Sequence, residues 1–562
     1  MRILVNAAGT IVRSSVSLQE GVNVLGRAYG RVAEHFVLQP LGQGDLEQEV
    51  SPASLDASGV ILFVKQGRVR WAAPDVSASR DLFYAKKESG VWELSDNFFD
   101  IASSFSQVSW RKQNLMFFLR HGYFSPGLTF FEEISRVRVG CKLVFGKEGV
   151  QEESVWESHG SEDRSYEVFK KALNSVLEVR GLEDAHALLL SGGCDSGLLA
   201  AIGTKVLGKH PLSFTSVYAQ TLKVNEQDGF KAEKVSSHLG LEHGTLHLDL
   251  AKETVQPLYL LVEHMPLAAH FGIAFFRIYE ELARRGRTKV WTGQNADSVY
   301  NFGPTGRSKG GMLKRWYLSK EYWESLPDIT TRKPWNQVMK WGGEAGMVAL
   351  RTQKGMRVRQ PKTFAELLSV FENEEGSFRF PKAGSPRQEH MGIGPLSYGE
   401  AKHLFFDRKI QTFLTGGDPR VHYGAADGTG SEAMLAYSAA NMMAFWRGLP
   451  LQLQDVFSPK RYIYRYLREL LGKKAYKNLY ETPVPLSSAK PYITWAEWQE
   501  QVLESTRFGK ELREAIGGLS EFPFLAEIFN PHVLHHPLDA FWLLEVLEKV
   551  KKQGVHVREM IL

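Results

Sequence analysis

The chain has 562 residues, enough for roughly two to four domains that each bury a full core, with 43% hydrophobic and 23% charged residues, as in ordinary water-soluble proteins. A formal charge of +5 is small for this length and gives no reason to expect a nucleic-acid partner, and no apolar run approaches a membrane span. Two cysteines, Cys141 and Cys194, exclude a disulfide framework and a four-thiolate zinc site; together with an N-terminal apolar run too short for a signal peptide, they point to a reducing, cytoplasmic setting.

Residues 1 to about 155 carry short apolar or alternating runs broken by Gly, Asn, Asp and Ser, such as Gly59–Val64, Val69–Ala72 and Gly90–Leu94. Frequent turns between such runs predict a sheet-dominated domain. Ser161–Ser165 then supplies capping residues and early acids for a helix, whose apolar face runs through Val168, Phe169, Ala172, Leu173, Val176 and Leu177. The uncharged run Ala187–Leu190 reads as a buried parallel strand. It ends in Ser191-Gly192-Gly193-Cys194-Asp195-Ser196, after which helical spacing resumes from Leu198. A second strand at Pro211–Tyr218, a helix at Phe230–Leu239 and a strand at Gly244–Leu248 follow. The order predicts a doubly wound parallel sheet with ligands at the carboxyl ends of its strands. A further helix, Ile273–Arg285, leads into a strand and polar turn at Lys289–Ser298.

The turn after Leu190 is the most informative stretch. A strand, a glycine turn and a helix start aim backbone N–H groups and a helix dipole at an anion, typically a phosphate. Asp195 inside that loop is unsuited to contact phosphate directly but suited to hold magnesium, which takes one or two carboxylates alongside phosphate oxygens. No Gly-Lys-Ser/Thr follows, so the loop is not of the Walker type. A glycine-rich turn without catalytic meaning is the alternative reading.

The pattern Ser-Gly-Gly-x-Asp-Ser resembles the pyrophosphate loop of the ATP-pyrophosphatase superfamily, which cleaves ATP between its α and β phosphates. The resemblance widens to class B asparagine synthetases and the related β-lactam synthetases. It rests on Arg80–Ala85 with Val91–Asp96, on Gly127–Ile134 with Val137–Leu143, and on Thr292-Gly293-Gln294-Asn295-Ala296-Asp297. It implies an α/β protein in two parts: a degenerate, β-rich, glutaminase-like N-terminal-nucleophile sandwich at 1–155, and a doubly wound synthetase domain with a helical tail at 156–562. Residues 303–430, which include the basic run Arg351–Lys362, fit the family poorly and form a variable insertion.

Residue by residue, the resemblance implies that Leu189 and Ser216 hold the adenine through backbone. Ser191, Gly192, Gly193, Asp195 and Ser196 form the pyrophosphate loop, Thr292 and Gly293 contact the nucleotide, and Asp195 and Asp297 bind Mg²⁺ beside ATP. Lys490, in Ser487-Ser488-Ala489-Lys490-Pro491, falls on a lysine that stabilises charge on phosphate and tetrahedral centre. Glu432, followed by Leu449-Pro450-Leu451-Gln452-Leu453, is a candidate base or amine-positioning group. The family's glutaminase nucleophile is a cysteine directly after the initiator methionine. Arg2 stands there, and an arginine cannot attack an amide. Cys141, in an alternating run, reads as a buried structural thiol.

The implied activity is ATP-dependent, AMP-forming amide ligation that does not use glutamine. Its partner is a small molecule or peptide bearing a carboxylate, and a homodimer is compatible with the resemblance. Alternatives are a macrolactam synthetase like the lasso-peptide cyclases, a nucleobase-modifying member of the superfamily, and a non-catalytic ATP-binding scaffold. Gln294 and Ser298 replace residues that are acidic or tyrosine in relatives. Since glutamine is no base, acceptor activation must come from elsewhere. His532, His535 and His536 have no carboxylate or cysteine pattern to support zinc and read as structural.

Overall fold

A computed structural model describes residues 1–6, 9–33, 36–41, 46–47, 49–111, 118, 124, 127–146, 149–156, 164–218, 223–296, 414–449, 460–482, 501–517 and 535–558. Contacts divide the chain into two compact units. One comprises Met1–Asn295, Ile410–Phe445 and Arg465–Leu562; the other comprises Ala296–Lys409 and Trp446–Tyr464. Within the second, the rings of Trp446 and Tyr462 lie with centroids 6.3 Å apart and the Arg461 guanidinium covers the Tyr462 ring. The strands and helices described below belong to the first unit.

The sheet-rich expectation for the N-terminal part is met by strands β1 (Arg2–Val5), β2 (Ile11–Ser14), β3 (Gly21–Val32), β4 (Leu38–Pro40), β5 (Leu55–Lys65), β6 (Arg68–Pro74), β7 (Phe83–Lys86), β8 (Trp92–Ser95), β9 (Gln107–Ser109), β10 (Ile134–Arg136), β11 (Cys141–Gly146) and β12 (Gly149–Ser154). All but β9 build two antiparallel sheets, β10-β7-β8-β1-β2 and β12-β11-β6-β5-β3-β4, and β9 pairs in parallel with the tail strand His556–Arg558. Side chains alternate across a strand, so each sheet presents one apolar face to the other. Ile3, Val5 and Leu94 from the first sheet share a core with Val60, Leu62, Val64, Val69, Leu143 and Phe145 from the second. Cys141 is buried in this core, as its alternating context predicts.

Helix α1 (Tyr166–Val179) opens where Ser165 accepts a hydrogen bond from the Val168 N–H, and buries the predicted face. Strand β13 (Ala187–Leu189), α2 (Cys194–Lys205), β14 (Leu212–Tyr218), α3 (Lys223–Leu239) and β15 (His243–Leu248) follow. Then come α4 (Gln256–His264), α5 (Ile273–Arg284), β16 (Lys289–Thr292), α6 (Asp418–Gly428) and β17 (Glu432–Leu435). The five strands pair in parallel in the order β15-β14-β13-β16-β17. Leu189 stands level with Phe214 on one side and Thr292 on the other, and Thr292 is level with Leu435. The chain runs outward from β13 to β15, then returns to the other side of β13 as β16. That reversal opens a crevice at the carboxyl ends of β13 and β16.

Ala187, Leu212, Phe214, Val290 and Leu435 of the sheet share one core with Leu258, Leu261, Ile273, Phe276, Leu282 and Val421 of α4, α5 and α6. The tail contributes helices Arg507–Ala515 and His535–Lys552 to the same core. Among the described residues, no helix is long and apolar enough to cross a membrane.

Candidate functional site

The loop between β13 and α2 lies at the crevice. Gly192 adopts φ +71°, a conformation open to glycine at little cost, and a Cβ there would lie 2.4 Å from the Lys231 Cβ and 2.8 Å from the Ala232 nitrogen on α3. The backbone therefore passes flush against α3. Serines fix the loop from within: Ser191 N–H donates to Ser196 Oγ at 3.2 Å, and Gly193 N–H donates to Ser191 Oγ at 3.3 Å. Gly193 caps α2 and has no side chain to accept from the helix's first N–H groups. Such a helix start favours an anion. Asp195 stands in that first turn, half-buried, and its carbonyl accepts from the Tyr437 hydroxyl at 3.0 Å.

The turn after β16 presses on the same loop. A Cβ at Gly293 would lie 2.6 Å from the Ser196 nitrogen and 2.9 Å from the Asp195 carbonyl carbon, which only glycine accommodates. Buried Thr292 accepts a hydrogen bond from the Gln294 N–H at 3.1 Å through Oγ1. Asn295 then takes φ 77°, which its short polar side chain tolerates, and donates from Nδ2 to Ser438 Oγ at 2.8 Å. Ser216, two residues past Phe214 on β14, extends the same carboxyl edge. Leu189, Ser191, Gly192, Gly193, Asp195, Ser196, Ser216, Thr292 and Gly293 thus gather at one end of one sheet. Asp297, Ser298, Lys490, His532 and residues 303–413 lie outside the described residues, as do the side chains of His535 and His536.

Glu432 does not join them. It is the first residue of β17, paired in register with Lys289, whereas the loop follows Leu189, level with the last residues of β16 and β17. Three residues of strand set it back by about 10 Å toward the amino end of the sheet. There Arg27 and Tyr29 of β3 bind both of its carboxylate oxygens. Burial and the Glu432 charge push the Tyr29 hydroxyl up, so it stays a donor. The carboxylate expected to serve the acceptor amine instead fastens the parallel sheet to the sandwich.

Three residues that the sequence did not single out, or left without a partner, meet at the carboxyl end. Gln294 donates from Nε2 to Asp418 Oδ2 at 3.2 Å, and His270 Nε2 lies 2.9 Å from Asp418 Oδ1. Burial pushes the Asp418 carboxyl up; the hydrogen bond and charge of His270, with His422 and Gln294, outweigh it and hold the group below its ordinary value. On the next turn of α6, burial lowers His422 to about 4, so it is neutral and pairs with the Tyr279 hydroxyl at 3.1 Å. No local motif announces these contacts, because His270 and Asp418 are 148 positions apart.

The geometry can seat a polyphosphate at the start of α2 and a reacting group beside Gln294. Residues 183–393 match the asparagine synthase family model. The matched segment contains both glycine turns and the strands that carry them. An asparagine synthase domain brings ATP binding and, in general, ATP-dependent formation of a carbon–nitrogen bond. No relative among the curated proteins matches the chain.

Among the described residues, no group of three or more His, Cys, Asp or Glu could hold a metal ion. Asp195, in the first turn of α2 next to a helix start that no side chain caps, is a carboxylate positioned where it could share a magnesium ion with phosphate oxygens.

Proposed function

We propose that the protein is an AMP- and pyrophosphate-forming amide ligase that adenylates a substrate carboxylate and passes the acyl group to an amine without using glutamine. The observation that carries this reading is the meeting of two glycine turns, Ser191–Ser196 and Thr292–Asn295, at the crevice beside β13, within the segment that matches the asparagine synthase model.

In this reading the carboxylate oxygen attacks the α-phosphorus of ATP, and pyrophosphate departs into the Ser191–Ser196 loop. Backbone at Leu189 and Ser216 borders the adenine, and Thr292 and Gly293 border the nucleotide. Asp195 and Asp297 would hold Mg²⁺, which when bound neutralises charge on the phosphates. The amine then attacks the acyl-adenylate carbonyl, with Lys490 stabilising the oxyanion. Two packed antiparallel sheets support a glutaminase-like ancestry for the front domain. Arg2, in place of the family's nucleophilic cysteine, binds the buried carboxylate of Glu93. The amine is accordingly ammonia or a group on the substrate itself, so intramolecular cyclisation and conjugation both fit, on a small molecule or peptide. The setting is the cytoplasm, and a homodimer is compatible with it.

The test is release of AMP and pyrophosphate from α-labelled ATP with pools of candidate acids. The parent protein is expected to release both only when an acid is added. Asp195→Ala and Asp297→Ala are each expected to reduce the rate by about 10³-fold or more while keeping the circular-dichroism spectrum. Release of ADP and phosphate would contradict the mechanism, and nucleotide binding with no turnover in any pool would leave only a scaffold.

A further inference from the structure

The reaction needs a group to take the proton from the attacking amine. Glu432 is at the wrong end of the sheet, and Gln294 has no basic atom. His270 has one. It precedes α5, Asp418 opens α6, and Gln294 follows β16, so three elements converge on it. Both oxygens of Asp418 are engaged, one by His270 Nε2 and the other by the Gln294 amide. A carboxylate can only accept, so Nε2 carries the hydrogen and the lone pair of the neutral ring sits on Nδ1. Among the described residues, Nδ1 has no hydrogen-bond partner although it is shielded from solvent. Buried polar atoms are almost always paired, and an exception calls for a reason. The imidazole as a whole keeps 25% of its side-chain surface exposed.

The groups around it leave the charge balance simple. Asp418 and His422 come from α6, Gln294 from the β16 turn, and the Phe275 ring from α5 at a centroid distance of 6.4 Å. His422 is neutral and tied to Tyr279 of α5. Asp418 is therefore the one charged group that bonds the imidazole among the described residues, and its carboxylate holds the ring through Nε2–H. Gln294 is the next residue after Gly293, which abuts the Asp195–Ser196 backbone, so the turn that bonds Asp418 also borders the Ser191–Ser196 loop.

We propose that His270 is the general base of the acyl-transfer step, with Asp418 and Gln294 as positioning residues that fix its tautomer and orientation. This rests on the amide-ligase reading above. The amine nitrogen forms a bond to the carbonyl carbon of the acyl-adenylate, its proton passes to His270 Nδ1, the carbon–oxygen bond to AMP breaks, and AMP leaves with that electron pair. The imidazolium then returns the proton to water.

The experiment separates the two half-reactions in the full chain. Labelled pyrophosphate exchange into ATP, triggered by mixtures of proteinogenic amino acids and short peptides, reads adenylation alone. Amide product reads both steps. Hydroxylamine, added as an acceptor that is already a free base at neutral pH, reads acyl transfer without help from a base. His270→Asn is expected to keep exchange within about threefold while amide formation falls about 10²- to 10⁴-fold and loses its rise with pH. Hydroxylamine is expected to restore product to a similar rate in the parent and the variant. Asp418→Asn is expected to lower amide formation and displace the pH profile, an effect that a purely structural contact does not produce. Equal loss of exchange and amide in His270→Asn, or amide formation at the parental rate with an unchanged pH profile, would overturn the assignment. Absence of exchange in the parent protein with every acid would overturn the ligase reading, and with it this step.

Discussion

The two ends of the parallel sheet are built from similar residues to opposite effect. At the amino end the charges of Arg180, Asp56 and Glu432, where they meet the sandwich, are matched. Arg180 grips both oxygens of Asp56 at 2.7 and 2.6 Å, with 4% and 1% of their side-chain surfaces exposed. Asp56 also accepts the Ala440 N–H at 2.9 Å, and Glu432 is held by Arg27 and Tyr29. At the carboxyl end, the Nδ1 of His270 and the Oδ1 of Asn295 are buried with no partner among the described residues, Asn295 has positive φ, and Gly192 and Gly293 hold backbones in contact. The first end fastens the fold. The second holds groups in states that the fold alone would not select, as sites of chemistry commonly do.

That contrast breaks most visibly at Arg180. Arg180→Ala leaves the Asp56 charge buried without its partner and is expected to cost about 3–5 kcal/mol, read as a lowered denaturant midpoint. The folded fraction should keep its pyrophosphate exchange. If exchange per folded molecule also collapsed, the division between a fastening end and a reacting end would fail.

A smaller effect of opposite sign is expected beside the loop. Burial raises the Asp228 carboxyl of α3 to about 6, with Lys231 opposing. Its protonated form is favoured in the folded state, so its contribution is complete below about pH 4 and is lost as pH rises through 6. At pH 8 the half-buried carboxylate opposes folding. Asp228→Asn is therefore expected to raise stability by about 1–2 kcal/mol at pH 8, with the gain shrinking to nothing near pH 4. Equal melting temperatures across that range would remove Asp228 from the strained groups.

The mildest change sharpens the comparison. Glu432→Gln keeps an acceptor for Tyr29 and loses the charge toward the exposed Arg27, so about 0.5–1 kcal/mol of stability should go. Amide formation should stay within about threefold of the parent. A loss of 10²-fold or more, measured as product at saturating ATP, would return Glu432 to the chemistry.

How much of this was legible in the chain follows from the range over which each feature is encoded. The anion loop is local: an uncharged strand, two glycines and an acid in sequence define strand, turn and helix start without outside help. Glu432 was misplaced because spacing along the chain says nothing about which end of a parallel strand a residue occupies; register against Lys289 decides that. His270 and Asp418 could not be joined from sequence, since the contact depends on the return of the chain to the far side of β13.

Arg420 lies two residues beyond Asp418, buried to 5% exposure. Its guanidinium reaches the carbonyls of Ala78 and Ser79 at 3.2 and 3.1 Å, Asp81 at 2.9 Å and the His264 carbonyl at 3.3 Å. The Ala78–Ser79 segment is shaped by buried Asp75, which accepts from Ser77 and Ser79. Splitting the chain after residue 155 and producing the halves separately would take two carbonyls and a carboxylate from the Arg420 guanidinium, two residues from the carboxylate that bonds His270, and leave water to replace them. The front domain is thus part of the seat of α6: any segment put in its place would have to present two carbonyls and a carboxylate at the same points.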